Sequence, residues 1–339
     1  MIALKKDVHY FLSSNSSRGF VSFLEPALRE FDTVVRLEGW PVETAEPLLT
    51  EIAERAAEKQ LDIDWIHNCL DNRPEGIFLP RASAAVIALP LSERSCNIFS
   101  LLSDENLRQA YREFDCALAE FERARHIHDE WEKIYISAMD FAAIDALAEN
   151  TIEKLLGGKQ SAEGHGICRD RYFGAATIHG SVDYIQNLTA DLPHRYFIKG
   201  RPGTGKSTFL KKIGAAAAKR GFDVELYHCA LDPESMDLVA VRELGFCVFD
   251  STAPHEYFPE REGDEIIDVY DAAVRPGTDE DNRDALEAVQ KRYKAQTAAA
   301  SDHLKAAYRA LQSFSAEYFV LDSAELERQK QEILRKIFG

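Results

Sequence analysis

Arg195-Tyr196-Phe197-Ile198-Lys199-Gly200-Arg201-Pro202-Gly203-Thr204-Gly205-Lys206-Ser207-Thr208 organises the reading of this chain. Tyr196 to Ile198 is an apolar run of strand type, and Phe209, Leu210, Ile213 and Ala217 recur at helical spacing over Phe209 to Arg220. Between them lies the pattern G-x-x-x-x-G-K-[ST] in the strand–loop–helix setting that it requires. Gly200, Gly203 and Gly205 permit backbone conformations that side chains block. The loop N–H groups then turn inward, and the positive end of the following helix adds to their pull on anions. Residues 200–208 (Gly200, Arg201, Pro202, Gly203, Thr204, Gly205, Lys206, Ser207 and Thr208) are therefore the expected phosphate-binding set. Lys206 is expected to reach the β- and γ-phosphates and the Ser207 hydroxyl to ligate Mg²⁺.

Landmarks of this region recur earlier in the chain. His9-Tyr10-Phe11 is echoed by Arg171-Tyr172-Phe173, and Val34 to Pro41 lies over Arg195 to Pro202 with Gly39 on Gly200 and Pro41 on Pro202. Leu49, Ile52 and Ala56-Ala57 match Leu210, Ile213 and Ala217-Ala218, and Trp65 to Cys69 matches Glu225 to Cys229. Ala84 to Leu89 matches Gly245 to Asp250, and Ile152 to Gly157 matches Leu334 to Gly339. So many landmarks in one order predict two tandem copies, 1–160 and 161–339. The second copy is longer by about twenty residues, assigned to the acidic segment after His255. Thr44, Ala45 and Glu46 stand where the second copy has Gly205, Lys206 and Ser207. The first copy thus lacks the lysine and the hydroxyl, and Glu46 repels phosphate. The expected fold is α/β: a P-loop type three-layer parallel sheet, duplicated, with helical extensions over Asp104 to Leu156 and Asp281 to Phe338.

Composition limits the partners. The 339 residues carry a formal charge of −17, with 45% hydrophobic and 29% charged residues. Two cores fit in such a length, and the acidity argues against general affinity for nucleic acid or anionic membranes. Six cysteines (69, 96, 116, 168, 229 and 247) form no C-x-x-C pair and no zinc spacing, which fits a reduced, cytoplasmic setting. Neither a signal peptide nor an apolar span is visible.

Leu244-Gly245-Phe246-Cys247-Val248-Phe249-Asp250 reads as a buried strand that places the Asp250 carboxylate beside Ser207 to hold Mg²⁺. Ser251 follows, where many hydrolytic ATPases have a glutamate that activates water. His255 and Thr252 are candidates for sensing the γ-phosphate, or simply shape a turn. Asp232 is either a base for an attacking hydroxyl or the start of a helix at Asp232-Pro233-Glu234. Arg201, Arg242 and Arg261 are further candidates to stabilise phosphate charge. No N-K-x-D string is present, so adenine is the default base. Pro254 to Gly277 suits a lid or partner-binding segment.

Residues 200–208, Tyr227-His228-Cys229, Asp250 to His255 and the duplicated layout together resemble a bacterial family of tandem P-loop proteins described as predicted ATPases or nucleotide-binding proteins. The resemblance spans nearly the whole chain. Ser251 departs from the family's D-G-T-A-P-H at 250–255, and the first loop has lost its functional residues. It implies cytosolic ATP binding with Mg²⁺. Three functions follow: an ATPase or ATP-dependent switch, a small-molecule or nucleotide kinase with Asp232 as base, or a module that holds ATP with little turnover.

Overall fold

A computed structural model describes residues 7–38, 40, 42–88, 104–162, 164, 166–318 and 323–339. The landmarks Gly39, Pro41, Leu89 and Cys96 lie outside the described residues. The chain begins β1 (Asp7–Phe11), β2 (Ser13–Ser16), β3 (Gly19–Ser22), α1 (Leu24–Leu28), β4 (Thr33–Leu37), α2 (Val42–Glu58), β5 (Ile63–His67), β6 (Pro74–Leu79) and β7 (Ala84–Ala88), then α3 (Glu105–Ile136) and α4 (Phe141–Leu156). It continues β8 (Cys168–Arg171), β9 (Gly174–Thr177), β10 (Gly180–Asp183), α5 (Ile185–Leu188), β11 (His194–Lys199), α6 (Lys206–Lys219), β12 (Val224–His228), β13 (Met236–Val241) and β14 (Phe246–Asp250). Last come β15 (Asp264–Asp268), α7 (Val269–Ala273), α8 (Thr278–Asp281), α9 (Arg283–Tyr318) and α10 (Ser323–Phe338).

One large sheet runs β1-β5-β6-β7-β4 and the other β8-β12-β13-β14-β11, with β15 added outside β11, while β2 with β3 and β9 with β10 form two separate antiparallel hairpins. The α/β class is as expected. The sheets are mixed, however, and not parallel: β6 and β13 each run antiparallel to both neighbours. Sequence reading passed over these two strands. Too few residues separate β12 from β13 for a helical crossover, so the chain reverses instead. The helix expected at Asp232-Pro233-Glu234 is accordingly a turn, closed by Ser235 N–H donating to the Asp232 carbonyl at 2.8 Å.

The layering also differs from expectation. In β11, Phe197 points into one core while Tyr196 and Ile198 point into another, and Phe249 and Val248 divide likewise. The first of these cores is shared: Tyr10, Ile66, Phe78 and Ile87 of one sheet meet Phe197, Tyr227, Leu238 and Phe249 of the other. Each sheet carries long helices on its outer face only, α2 on one and α6 on the other. The order is helix, sheet, sheet, helix, where three layers per copy were expected. An apolar strand must be covered on both sides, but its sequence does not say whether helices or a second sheet cover it.

The two sheets meet reciprocally. Phe11 N–H donates to the Tyr172 carbonyl at 2.9 Å and Tyr172 N–H to the Phe11 carbonyl at 2.9 Å. Ser17 N–H bonds the Leu231 carbonyl, and Ile178 N–H bonds the Leu70 carbonyl. Strand registers place Asp7 opposite Ile63 and Cys168 opposite Val224, so His9-Tyr10-Phe11 corresponds to Asp170-Arg171-Tyr172, one residue from the sequence match. Ala88 pairs Leu37 as Asp250 pairs Ile198, so Ala88 stands at the place of Asp250.

The helical arms pack on each other antiparallel, with Glu113 beside His303 and Glu130 beside Arg292. Phe121 and Ala117 of α3 meet Ala300 and Leu304 of α9, and His303 Nδ1 lies 2.7 Å from Glu113 Oε2. Beyond this pair the arms cross. Ile144, Ala148 and Leu155 of α4 pack into the outer core beside α6. Leu334 of α10 packs into the outer core beside α2, with Lys330 Nζ 2.6 Å from Glu51. The segment 254–277, expected as a lid, contains β15 and α7, and β15 pairs in parallel with β11. Among the described residues no helix is long and apolar enough to cross a membrane.

Candidate functional site

The loop between β11 and α6 takes the conformation that its glycines permit. Gly203 and Gly205 have φ of +77° and +82°, and Gly205 stands at the N-cap of α6 with no side chain to satisfy the first-turn N–H groups. Thr204 is fully buried, and its hydroxyl donates to the Arg201 carbonyl at 2.8 Å, drawing the loop into a tight ring. Lys206 is 9% exposed, and its ammonium donates to the Arg201 carbonyl at 2.8 Å and lies 3.5 Å from Asp250 Oδ2. Ser207 Oγ accepts the Met236 N–H at 2.9 Å. Thr208 is exposed.

Met236 opens β13, and the next residue is a carboxylate that sequence reading missed. β13 and β14 pair Leu238 with Phe249, so Asp237 and Asp250 form the next antiparallel pair. Burial raises the Asp237 pKa, and the Asp250 charge raises it further, to about 6. Asp250 Oδ1 also accepts the Thr252 hydroxyl at 2.7 Å. Lys206, Ser207, Asp237 and Asp250 therefore converge at the edge where β11 and β14 end and the antiparallel β13 begins, the edge at which open α/β sheets bind ligands. The signal for Asp237 was the single acid in Met236-Asp237-Leu238-Val239-Ala240-Val241, legible only once that run is read as a strand. Among the described residues no group of three or more His, Cys, Asp or Glu side chains is arranged to hold a metal ion. A hydroxyl beside two carboxylates is nonetheless a hard-oxygen donor set that suits Mg²⁺ completed by phosphate oxygens and water.

A second contribution comes from α3, far away in sequence. A Cβ built on Gly203 would lie 2.6 Å from the Glu132 carbonyl oxygen and 2.9 Å from its Cα. The helix therefore rests directly on the loop. Burial and then Asp129 raise the Glu132 pKa, while Lys206 and a hydrogen bond from the Gly203 N–H lower it. Burial and then Lys206 hold the His128 imidazole below its usual value. Gly203→Ala combines a left-handed backbone with this contact, so it should destabilise the protein by about 1–3 kcal/mol. The drop in urea midpoint at constant slope measures it; a midpoint equal to that of the wild type would mean that α3 does not sit tightly on the loop.

The other predicted residues are placed differently. Asp232 does not cap a helix; it accepts from Arg18 Nε at 2.8 Å, and Arg18 Nη2 also lies 2.7 Å from Glu234. Arg18 sits in the turn of the β2–β3 hairpin, so it reaches this edge from the first half of the chain. His255 is held by Asp183: its Nδ1 lies 2.7 Å from Asp183 Oδ2, and its ring meets Phe173 edge-on at 5.0 Å, while its charge also lowers the Asp237 pKa. Ser251 is fully buried and knits a turn, donating to the Tyr257 carbonyl at 2.7 Å and accepting the Tyr257 N–H at 2.9 Å. Lys199 Nζ closes the same turn on the carbonyls of Ser251 and Tyr257. Arg242 bonds Glu225, Asp191 and the Leu188 carbonyl, and Arg261 bonds the carbonyls of Thr189, Ala190 and Leu192. Both are structural. Arg201 pairs with Asp279 at 2.9 Å and lies over the Tyr270 ring.

Among the described residues the first sheet has no such loop. Thr44, Ala45 and Glu46 lie inside α2, which runs one turn further back than α6, and Ala45 is fully buried. At the place of Asp237 stands Glu75, which accepts from Asn68 Nδ2 at 2.7 Å.

Fold and site together define an α/β protein with two facing mixed sheets and a glycine loop opening a helix beside two carboxylates. No family model, no curated protein and no solved structure matches the chain.

Proposed function

We propose that residues 200–208 bind a nucleoside triphosphate with Mg²⁺, and that the protein works as an ATP-dependent switch or slow ATPase. The observation that carries this reading is the loop itself: left-handed Gly203 and Gly205, a helix N-terminus without a side-chain cap, and Lys206 held between the loop carbonyl and Asp250. On this reading Lys206 and the loop N–H groups hold the β- and γ-phosphates. Mg²⁺, when bound, neutralises phosphate charge, with Ser207, Asp250 and Asp237 as its protein partners. Slow turnover follows from Ser251, which is spent on a turn where a water-activating glutamate would stand. The ion pair of Asp232 with Arg18 argues against a free base for a kinase. The matching strand orders support two tandem copies, 1–160 and 161–339, the first a degenerate partner without a phosphate loop. Adenine as base and a cytoplasmic setting belong to the same proposal.

The test follows free phosphate and ADP from Mg-ATP, with Lys206→Ala as blank, alone and with a pool of nucleosides and metabolites. Equal, slow release without the pool supports the reading. ADP exceeding phosphate only with the pool would replace it with a kinase.

The raised pKa of Asp237 sets the pH response. Its carboxylate must be deprotonated to face a cation, so Mg²⁺-dependent affinity should fall as pH drops through about 6. Asp237→Asn should remove that fall while lowering affinity at pH 8. A titration of nucleotide binding between pH 5 and 8 checks it, and an identical pH profile in the variant would exclude Asp237.

A further inference from the structure

A cavity of about 460 Å³ opens at the edge of the sheets away from the glycine loop. Glu225 lies near the start of β12 and Arg242 follows the end of β13, whereas Met236, at the other end of β13, meets Ser207. Both halves of the chain build the cavity: Tyr10 and Asp64 come from the first sheet, Arg171 and Glu225 from the second. Phe23, Ala27 and Phe31 around α1, with Val8 and Phe78 of the first sheet, form an apolar wall. The Phe31 and Phe78 rings stand 4.7 Å apart. The volume falls within the range of roughly 300–1,000 Å³ that suits a small organic ligand.

Most charges lining the cavity are closely paired. Glu30 meets Arg169 at 2.7 Å, Asp170 meets His228 at 2.8 Å and Glu225 meets Arg242 at 2.8 Å. Asp64 and Arg171 are held only loosely. Asp64 is 7% exposed; its Oδ2 accepts the Tyr10 hydroxyl at 3.0 Å and lies 3.7 Å from Arg171 Nη2, and no donor among the described residues reaches Oδ1. Arg171 lies over the Tyr10 ring at 4.2 Å, and its hydrogen bond to Glu225 is long, 3.5 Å. Acceptors and donors buried in this way are costly unless a partner meets them. Arg171 repels a cationic partner, and Asp64 and Glu225 repel an anionic one. What fits is a neutral group that donates to the carboxylate and accepts from the guanidinium side by side, on a flat apolar body. We propose that this cavity binds a ring carrying the aminopyrimidinone edge that guanine and pterin share. Its N–H groups donate to Asp64, its carbonyl oxygen accepts from Arg171, and its face lies on Phe31 and Phe78. The first half of the chain, which lacks the lysine of a phosphate loop, thereby supplies half of a ligand site. The proposal does not depend on the triphosphate reading.

Two titrations of the full chain test it: guanosine by calorimetry, and pterin by the anisotropy of its own emission. At least one ring should bind, the tighter of the two naming the source, and adenosine should bind about tenfold more weakly or worse. Asp64→Asn keeps the shape but turns one acceptor into a donor, and should weaken the ring about tenfold or more. Phe31→Ala, in the half-buried wall and away from the buried charges, should weaken it by a similar factor of about ten. It keeps the test open if the Asp64 variant fails to fold. No binding of either ring to the wild type, adenosine as tight as guanosine, or unchanged affinity in either folded variant overturns the proposal. Competition by Mg-ATP would place the ring in the glycine loop and overturn it as well.

Discussion

Lys206→Ala is expected to weaken Mg-ATP binding by on the order of 100-fold or more, the largest functional effect any single change should have. The ammonium is nearly buried, and it joins the Arg201 carbonyl to Asp250 across the mouth of the loop. On the proposed reading, its loss removes the charge-assisted bonds to the β- and γ-phosphates. It also leaves Asp237 and Asp250 facing each other without the cation beside them, so the site repels phosphate more strongly than before. Ala45→Ser, at the matching place, should leave binding unchanged, because Ala45 lies buried inside α2 with neither a lysine nor a glycine turn at residues 44–46. Calorimetric titration of both variants with Mg-ATP decides the matter. Equal affinity in wild type and Lys206→Ala would refute the central reading.

Arg195→Ala should have the largest effect on stability, about 3–5 kcal/mol. Arg195 is 3% exposed, and its guanidinium makes two parallel bonds to Asp264, at 2.8 and 2.6 Å, with a third to Gln186 at 3.3 Å. Asp264 has no exposed side-chain surface and also accepts the N–H groups of Glu260 and Arg261. Removing the arginine leaves the buried Asp264 carboxylate, at the start of β15 beside the loop-bearing β11, with the more distant Arg261 Nε at 3.6 Å and without its two short guanidinium bonds. The sign of the pH dependence follows. The hydrogen bonds from Arg195, working against burial, hold the Asp264 pKa far below the ordinary carboxylate value. The stability it contributes is therefore fully present above the ordinary range near 4 and is lost as pH falls below it. Urea unfolding at pH 7 and at pH 3 should show the variant's deficit shrinking at the lower pH. A deficit under about 1 kcal/mol at pH 7 would show that the pair is not doing this.

Much of the fold was readable from local pattern. The strand–glycine–helix run fixed β11, the loop and α6, because turn chemistry and helical spacing are short-range properties. The repeated landmarks pointed to two sheets of one strand order, with one-residue slips at β1 and β8, at β5 and β12 and at β7 and β14. The amphipathic arms announced themselves by the spacing of Phe121, Leu304 and their neighbours. β6 and β13 were missed because a short apolar run after Pro74 or Pro233 carries no sign of which way it will pair.

The site divides in the same way. Gly200 to Ser207 and Asp250 were legible because their chemistry depends on sequence neighbours and on one strand's end. Asp237 enters only through its cross-strand partner, and Glu132 only because a distant helix lies on Gly203. Arg18 reaches Asp232 across the seam between the two halves, and His255 is held by Asp183. The sequence alone determined the glycine-rich turn with its lysine and hydroxyl, and the lack of those residues at the matching place in the first half, since backbone freedom at glycine and the presence of a lysine are properties of the residues themselves. Tertiary structure alone decided what faces that loop, because which carboxylate lies opposite Lys206 depends on how two sheets and two crossed arms pack, and packing is settled by contacts that no stretch of sequence contains.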